Sequence, residues 1–126
     1  MTDKPKILIV DDIVEYAMAF EMYLPEGAQA LRAASAEEAR ALLAAGPADL
    51  AIVDVRLDGE REDDASGMEL LSWMRENHPR MPVVMVSAYQ TFEYEIEALE
   101  RGAFRFLKKP LQPVEVKAVL KEVLGT

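Results

Sequence analysis

The stretch Ala51-Ile52-Val53-Asp54-Val55 decides the fold. Its apolar residues form a run without polar alternation, which is typical of a strand buried on both faces of a parallel sheet. One carboxylate, Asp54, stands near the C-terminal end of the run. In open parallel α/β sheets, ligands and chemistry lie beyond the carboxyl ends of the strands. Asp54 is therefore predicted to lie at the functional edge of the sheet.

Similar apolar runs alternate along the chain with segments of helical periodicity. Strands are predicted over 6–10, 28–33, 50–54, 82–87 and 104–107, and helices over 13–24, 35–45, 68–77, 91–101 and 113–126. Strand followed by helix, repeated five times, is the pattern of a parallel sheet covered by helices on both faces. We therefore predict one α/β domain that spans residues 1–126.

Two of the predicted helices carry apolar residues whose placement matters for partners. In the fourth helix, Phe92, Ile96 and Leu99 form one stripe, with Tyr94 off it. In the first helix, Met18 and Met22 lie off the stripe that is predicted to be buried. Since they would flank the functional edge, we expect these two methionines to contact a protein partner.

Composition excludes several classes of function. The net charge of −9 argues against direct nucleic-acid binding, which depends on clustered Lys and Arg. The absence of cysteine excludes disulfides and thiolate metal sites. No apolar run approaches the roughly 20 residues of a membrane helix, and the polar start is unlike a signal peptide. We therefore expect a cytoplasmic protein that does not contact a membrane.

The ends of four predicted strands carry the residues capable of chemistry. Strand one ends in Asp11-Asp12, strand three in Asp54 and strand four in Ser87, and strand five leads to Lys109-Pro110. Three converging carboxylates repel one another, and a divalent cation removes that conflict. Because the ligands are oxygens, the hard ion Mg²⁺ is the expected cofactor.

The same edge is suited to a phosphoryl group on Asp54. Lys109 would pair with a phosphate oxygen as a point charge, and Ser87 would donate from its hydroxyl. Ala88 has almost no side chain, so its backbone N–H is open to the phosphate. Positioning and electrostatic stabilisation of this kind are what phosphoryl transfer requires. Asp54, Lys109 and Ser87 are the predicted catalytic residues.

With these motifs in order at strand ends, the sequence resembles the receiver domain of two-component response regulators, of the chemotaxis-regulator type. The resemblance covers Lys6 to about Leu124. The matching motifs are the acidic pair Asp11-Asp12, the phosphorylated aspartate Asp54, Ser87 with its small neighbour Ala88, and the region Gly102-Ala103-Phe104-Arg105-Phe106-Leu107 followed by Lys109-Pro110.

The resemblance implies a flavodoxin-like doubly wound (βα)5 fold with strand order 2-1-3-4-5. It implies that the family's lysine is Lys109, directly before the proline, with Lys108 on the surface and a cis Lys109–Pro110 bond. It also assigns Phe106 to the aromatic switch position beside Ser87. The implied Mg²⁺ ligands are Asp11, Asp12, Asp54 and the backbone carbonyl of Arg56.

The function implied is that of a phosphorylation-dependent signalling switch. A histidine kinase or histidine phosphotransfer protein would phosphorylate Asp54, and the surface of helix four, strand five and helix five would change to control an output protein or domain. Such a domain is not an enzyme beyond its own phosphotransfer and dephosphorylation.

The chain departs from the family pattern at two places. A lengthened acidic loop over residues 58–66 contains Asp58-Gly59 where the family usually has a short Pro-Gly turn. Phe104-Arg105 stands where one large DNA-binding subfamily has Asp-Asp, so the dimer of that subfamily is not expected.

Two other interpretations compete with the switch. A receiver-like interaction module that never uses phosphate is opposed by the intact acidic residues. A cofactor-binding doubly wound domain or a small phosphohydrolase is opposed by the absence of a Gly-rich loop after strand one and of a second catalytic acid after Asp54. Asp12 alone would be consistent with a simple helix cap.

Overall fold

The computed structural model describes residues 4–57, 66–88 and 92–125. Strands and helices alternate along these ranges. In chain order they are β1 (Lys6–Val10), α1 (Val14–Glu21), β2 (Gln29–Ala33), α2 (Ala36–Ala45), β3 (Leu50–Asp54), α3 (Ser66–Asn77), β4 (Val83–Ser87), α4 (Phe92–Glu100), β5 (Arg105–Lys108) and α5 (Pro113–Leu124).

The five strands form one parallel sheet in the order β2-β1-β3-β4-β5. The register aligns Val10 with Val53, and Asp54 with Val86. The predicted flavodoxin-like fold and its strand order are therefore confirmed. Because the order reverses between β1 and β3, the ends of these two strands border the crevice where ligands bind in such sheets.

Alternate residues of each strand supply two separate cores. Ile7 and Ile9 of β1 pack toward α1 and α5, together with Phe20 and Val116. Leu8 and Val10 of the same strand pack on the opposite face, in the core that α2, α3 and α4 cover. Both faces of the sheet are thus buried, which explains why β3 and β4 read as continuous apolar runs.

Local signals account for several helix ends. The Ser35 hydroxyl accepts a hydrogen bond from the Glu38 N–H at 3.1 Å, as the predicted capping box requires. Pro113 begins α5, where its missing N–H has no cost. Gly102 follows α4 with a φ of +101°, a conformation that favours glycine. Helix α1 is shorter than predicted, because it ends at Glu21 instead of continuing to Leu24.

The apolar stripe of α4 faces outward. Phe92, Ile96 and Leu99 have exposed fractions of 70%, 43% and 46%. The residue of α4 that is buried is Ala98, and Tyr94 packs partly against the same core. Tyr94 and Ala98, one turn apart, thus turn the other side of the helix toward the sheet.

Of the helices that the structure describes, none combines the length and apolar character that a membrane span needs.

Candidate functional site

The C-terminal edge of the sheet brings the predicted site residues together. Asp11 directly follows β1, and Asp54 ends the adjacent strand β3. Both residues are buried. Lys109 follows β5 and is also buried, although two strands separate its strand from β1. Asp12 is half-buried beside Asp11. These four residues form what we call the acidic site.

The Lys109 ammonium lies between two of the carboxylates. Its Nζ atom is 3.0 Å from Asp11 Oδ2 and 3.4 Å from Asp54 Oδ2. The backbone N–H of Lys109 donates to the Ser87 carbonyl at 2.9 Å, which fixes the Lys109 backbone at the C-terminal end of β4. Because contacts hold both the backbone and the side chain of Lys109, its ammonium can pair with a negatively charged group on Asp54 without a large rearrangement.

The adjacent Lys108 points away from the site. Its side chain is 49% exposed, and its Nζ lies 3.9 Å from Glu95 Oε1 on α4. The Lys109–Pro110 peptide bond is cis, as the resemblance implied. Of the two lysines, Lys109 is therefore the one that contacts the acidic site.

Burial raises the pKa of Asp54 from its usual 3.8 to about 6, and the Asp11 carboxylate adds to that rise. The Lys109 ammonium and the Arg56 N–H, which donates to Asp54 Oδ1 at 3.4 Å, act in the opposite direction. The buried carboxylate is thus poorly stabilised in its charged form. A cation or a partner that brings positive charge to this edge would favour ionisation.

The carboxylates fit a divalent metal. Asp11, Asp12 and Asp54 each offer an oxygen, and these oxygens all lie within 4.8 Å of one another. All-oxygen ligands are those that Mg²⁺ prefers. The Arg56 carbonyl, the fourth ligand that the resemblance implies, belongs to a buried residue two positions after Asp54.

A cavity of about 160 Å³ opens onto the acidic site. Ala88, exposed directly after β4, contributes to its wall, as do Arg56 and Ile13. The complete lining is Asp12, Ile13, Tyr16, Asp54, Arg56, Ala88 and Lys109. The opening gives a small charged group access to Asp54 from solvent.

The two residues of the predicted switch lie on neighbouring strands. Ser87 ends β4 and is 1% exposed. Phe106 lies on β5 opposite Met85 and packs, half-buried, against the core beneath α4. A movement of Ser87 at the end of β4 would therefore occur beside β5, the strand that carries Phe106.

Sequence reasoning missed Tyr16. Its ring centroid lies 3.7 Å from Lys109 Nζ, and its side chain lines the cavity. Tyr16 lies in the first turn of α1, four residues after Asp12, which precedes the helix. That spacing was the available signal, but the ring's contact with Lys109 joins residues far apart in the chain.

Most of the predicted acidic loop lies outside the described residues, since positions 58–65 are not among them. The described flank begins with α3, where Gly67 donates from its N–H to the Val55 carbonyl at 3.0 Å. A Cβ atom on Gly67 would be 1.9 Å from the Asp54 backbone oxygen. The start of α3 therefore packs directly on the strand end that carries Asp54.

Comparison with known proteins gives one consistent family. Residues 7–121 match the response regulator receiver domain. The chain is 39% identical over 109 residues to the response regulator protein PilR of Pseudomonas aeruginosa, a match that covers 86% of this chain and 23% of PilR. It is 35% identical over 121 residues to the nitrogen assimilation regulatory protein NtrX of Azorhizobium caulinodans, covering 95% and 26%. The chain thus spans about a quarter of the length of these relatives.

Solved structures agree with the sequence match. A CheY-like response regulator receiver domain protein from Methanospirillum hungatei superposes with a TM-score of 0.83 at 30% identity, covering 98% of this chain and 95% of that one. The receiver domain of NtrX from Brucella abortus gives a TM-score of 0.80 at 31% identity, covering 95% and 98%.

Proposed function

Because this chain belongs to the family of response regulator receiver domains, we propose that it is a switch operated by phosphorylation of Asp54. The observation that carries the proposal is the position of Asp54 in the acidic site, with Lys109 Nζ 3.4 Å away and a cavity open to solvent. The donor is proposed to be a histidine kinase or a histidine phosphotransfer protein. Residues 1–126 are proposed to form a single receiver domain.

Asp54 is the best placed of the three carboxylates to act as nucleophile. It ends β3, the central strand of the sheet, so its side chain lies on the floor of the crevice. Its Oδ1 accepts from the Arg56 N–H, while Oδ2 faces Lys109. Asp11 is anchored differently, because its Oδ1 accepts from the Ile13 N–H at 2.9 Å. Asp11 and Asp12 are therefore better suited to hold a metal.

In the proposed transfer, an Asp54 oxygen attacks the phosphorus of a phosphohistidine. The new bond is O–P, the bond that breaks is N–P, and the imidazole leaves with the electron pair. Lys109 pairs with a phosphoryl oxygen, and Ser87 donates its hydroxyl hydrogen to another. The Ala88 N–H, next to the cavity, is a further donor. In the later hydrolysis that deactivates the switch, a water oxygen bonds to phosphorus as the Asp54 O–P bond breaks, the carboxylate leaves with the electron pair, and inorganic phosphate is released.

Mg²⁺, held by Asp11, Asp12, Asp54 and the Arg56 carbonyl, would neutralise carboxylate charge and stabilise the charge on the transferring group. The chain's own contribution is to place three carboxylates around one point and to keep Lys109 in contact with two of them. Together these groups stabilise the transition state by positioning and electrostatics.

The output is proposed to pass through the surface of α4, β5 and α5. Phosphorylation draws Ser87 toward the phosphate, and Phe106 moves into the space that the hydroxyl vacates. The exposed stripe of α4 supports this choice, because Phe92, Ile96 and Leu99 present apolar side chains to solvent. Val114 at the start of α5 is likewise exposed, at 80%. An output protein or domain is the proposed partner.

Treatment with acetyl phosphate and Mg²⁺ tests the proposal. The intact mass should increase by one phosphoryl group, and borohydride reduction should convert Asp54 to homoserine. Asp54→Asn should abolish the label. Asp49→Asn is a matched control, because Asp49 precedes the same strand at its opposite end. A label at another residue, or undiminished labelling of Asp54→Asn, would contradict the proposal, and an unlabelled parent would favour a phosphate-independent interaction module.

A further inference from the structure

The Lys109 ammonium has an aromatic neighbour in addition to its carboxylates. Its Nζ lies 3.7 Å from the centroid of the Tyr16 ring, well inside the ~6 Å limit of a cation–π contact. The Lys109 side chain is only 5% exposed. Cation–π attraction is strongest when the cation has lost its water, so this contact has the geometry and the burial to matter.

The Tyr16 ring is more exposed than the ammonium that it contacts. Tyr16 is 36% exposed and lines the same cavity as Asp54 and Lys109. On the inner side, Lys109 Nζ is held by Asp11 Oδ2 and Asp54 Oδ2. The three contacts come from the residue after β1, from the last residue of β3 and from α1, so three different segments restrain the ammonium.

We propose that Tyr16 is a positioning residue for phosphoryl transfer. Its ring holds the Lys109 ammonium against Asp54 and excludes water from it, so that the charge already stands where a phosphoryl oxygen arrives. This inference rests on the proposed phosphorylation of Asp54. Without the ring, the long lysine side chain would sample more rotamers and regain hydration, and both changes weaken its interaction with the phosphoryl group.

Substitution of the ring separates its electrostatic role from its bulk. Tyr16→Phe keeps the aromatic face and should phosphorylate with acetyl phosphate at nearly the parent rate. Tyr16→Leu keeps an apolar side chain without the ring's charge distribution, and its rate should fall about tenfold. Tyr23→Leu is the matched control, because Tyr23 packs half-buried just beyond α1 on the α1–α5 core and does not line the cavity.

A graded series keeps the test valid even if Tyr16→Leu is poorly folded. Phenylalanine analogues with one, two and three ring fluorines at position 16 preserve shape while progressively weakening the negative ring face. The phosphorylation rate should fall stepwise along the series, while urea unfolding of each variant should change little. An equal rate throughout would show that the ring is only a steric cover and would overturn the inference.

NMR tests the contact between the Tyr16 ring and the Lys109 ammonium directly. Protons on the Lys109 ε-carbon lie near the Tyr16 ring and should show a ring-current shift relative to those of exposed Lys108. The shift should persist in Tyr16→Phe and vanish in Tyr16→Leu. Absence of the shift in the parent would also refute the contact. Failure of the parent to label at Asp54 would instead refute the underlying function, so the two failures are distinguishable.

Discussion

Replacement of Asp54 by Asn should stabilise the metal-free protein at neutral pH. Burial raises the pKa of the Asp54 carboxyl from 3.8 to about 6, so the ionised form opposes folding. Asn has the same shape and no charge. The Lys109 ammonium keeps a carboxylate partner after the substitution, because its Nζ is 3.0 Å from Asp11 Oδ2. The variant therefore removes a buried charge without isolating the lysine.

The sign of the pH dependence follows from proton linkage. Since the folded state has the higher pKa, it binds the Asp54 proton more tightly than the unfolded chain does. The stability that this proton confers is fully present below about pH 4 and is lost as the pH rises through about 6. The parent should therefore lose stability relative to Asp54→Asn across this window, and the difference should be constant above it.

The size of the effect follows from the two pKa values. The difference between 3.8 and about 6 corresponds to about 3 kcal/mol, since each pH unit is worth about 1.4 kcal/mol. This value is an upper bound, because relaxation of the site and the weaker interaction of Asn with the Arg56 N–H both reduce the gain. We expect Asp54→Asn to be more stable by roughly 1–3 kcal/mol at about pH 7, and nearly equal to the parent at about pH 4.

Urea unfolding in EDTA, followed by Trp73 fluorescence, measures this difference. Trp73 is the single tryptophan and lies half-buried on α3. Asp49→Asn, outside the acidic site, is the control: it keeps the Asp54 carboxyl and should therefore lose stability through the same pH window as the parent. Added Mg²⁺ should stabilise the parent more than Asp54→Asn, because a ligand that binds only the folded state adds to its stability. The difference in unfolding free energy between the two proteins should therefore decrease.

Two results would refute this reasoning. One is an Asp54→Asn variant that is less stable than the parent at neutral pH without metal, which would mean that the carboxylate is well compensated. The other is a stability difference that stays constant from about pH 4 to about pH 8, since that would uncouple the effect from proton binding.

Three further outcomes are expected. Gly67→Ala should lose on the order of 3 kcal/mol of stability in urea unfolding, because its Cβ would be 1.9 Å from a backbone oxygen of β3. Gly46→Ala is the control and should change the stability little, since a Cβ there meets open space. Equal losses in the two variants would contradict the packing of Gly67 on β3. Met18→Lys combined with Met22→Lys should slow transfer from the phosphorylated kinase but not from acetyl phosphate, since both side chains are exposed on or just after α1; equal loss in both assays would indicate damage to the fold. Lys109→Ala should still be phosphorylated, more slowly, but should lose the phosphorylation-dependent NMR shifts of α4 amides; parent-like shifts would count against its part in the switch.

Much of the fold was predictable from local sequence. Strand β3 was predicted with its bounds of 50–54, because a short, continuous apolar run that ends in an acid is typical of a buried parallel strand. Ser35 with Glu38 predicted the start of α2, and Pro113 that of α5. The strand order and the cis Lys109–Pro110 bond came from the resemblance to the family, whose motifs occur in this chain in the same order.

The candidate site was predictable as far as strand ends determine it. Asp11, Asp12 and Asp54 follow or end strands whose carboxyl ends share one edge, so their proximity follows from topology. The sequence did not reveal the face that α4 turns to the core. Periodicity indicates that Phe92, Ile96 and Leu99 lie together, but contacts made by the other side of the helix decide which stripe is buried.

Sequence alone determined which residues are apolar, which carry charge, and where each strand ends, because these properties belong to single residues and short repeats. Only the tertiary structure decided that the Tyr16 ring covers Lys109 and that Asp54 is buried deeply enough to raise its pKa to about 6. Both facts depend on distances between segments far apart in the chain. Such distances are set by the packing of helices on the sheet, which no local pattern encodes.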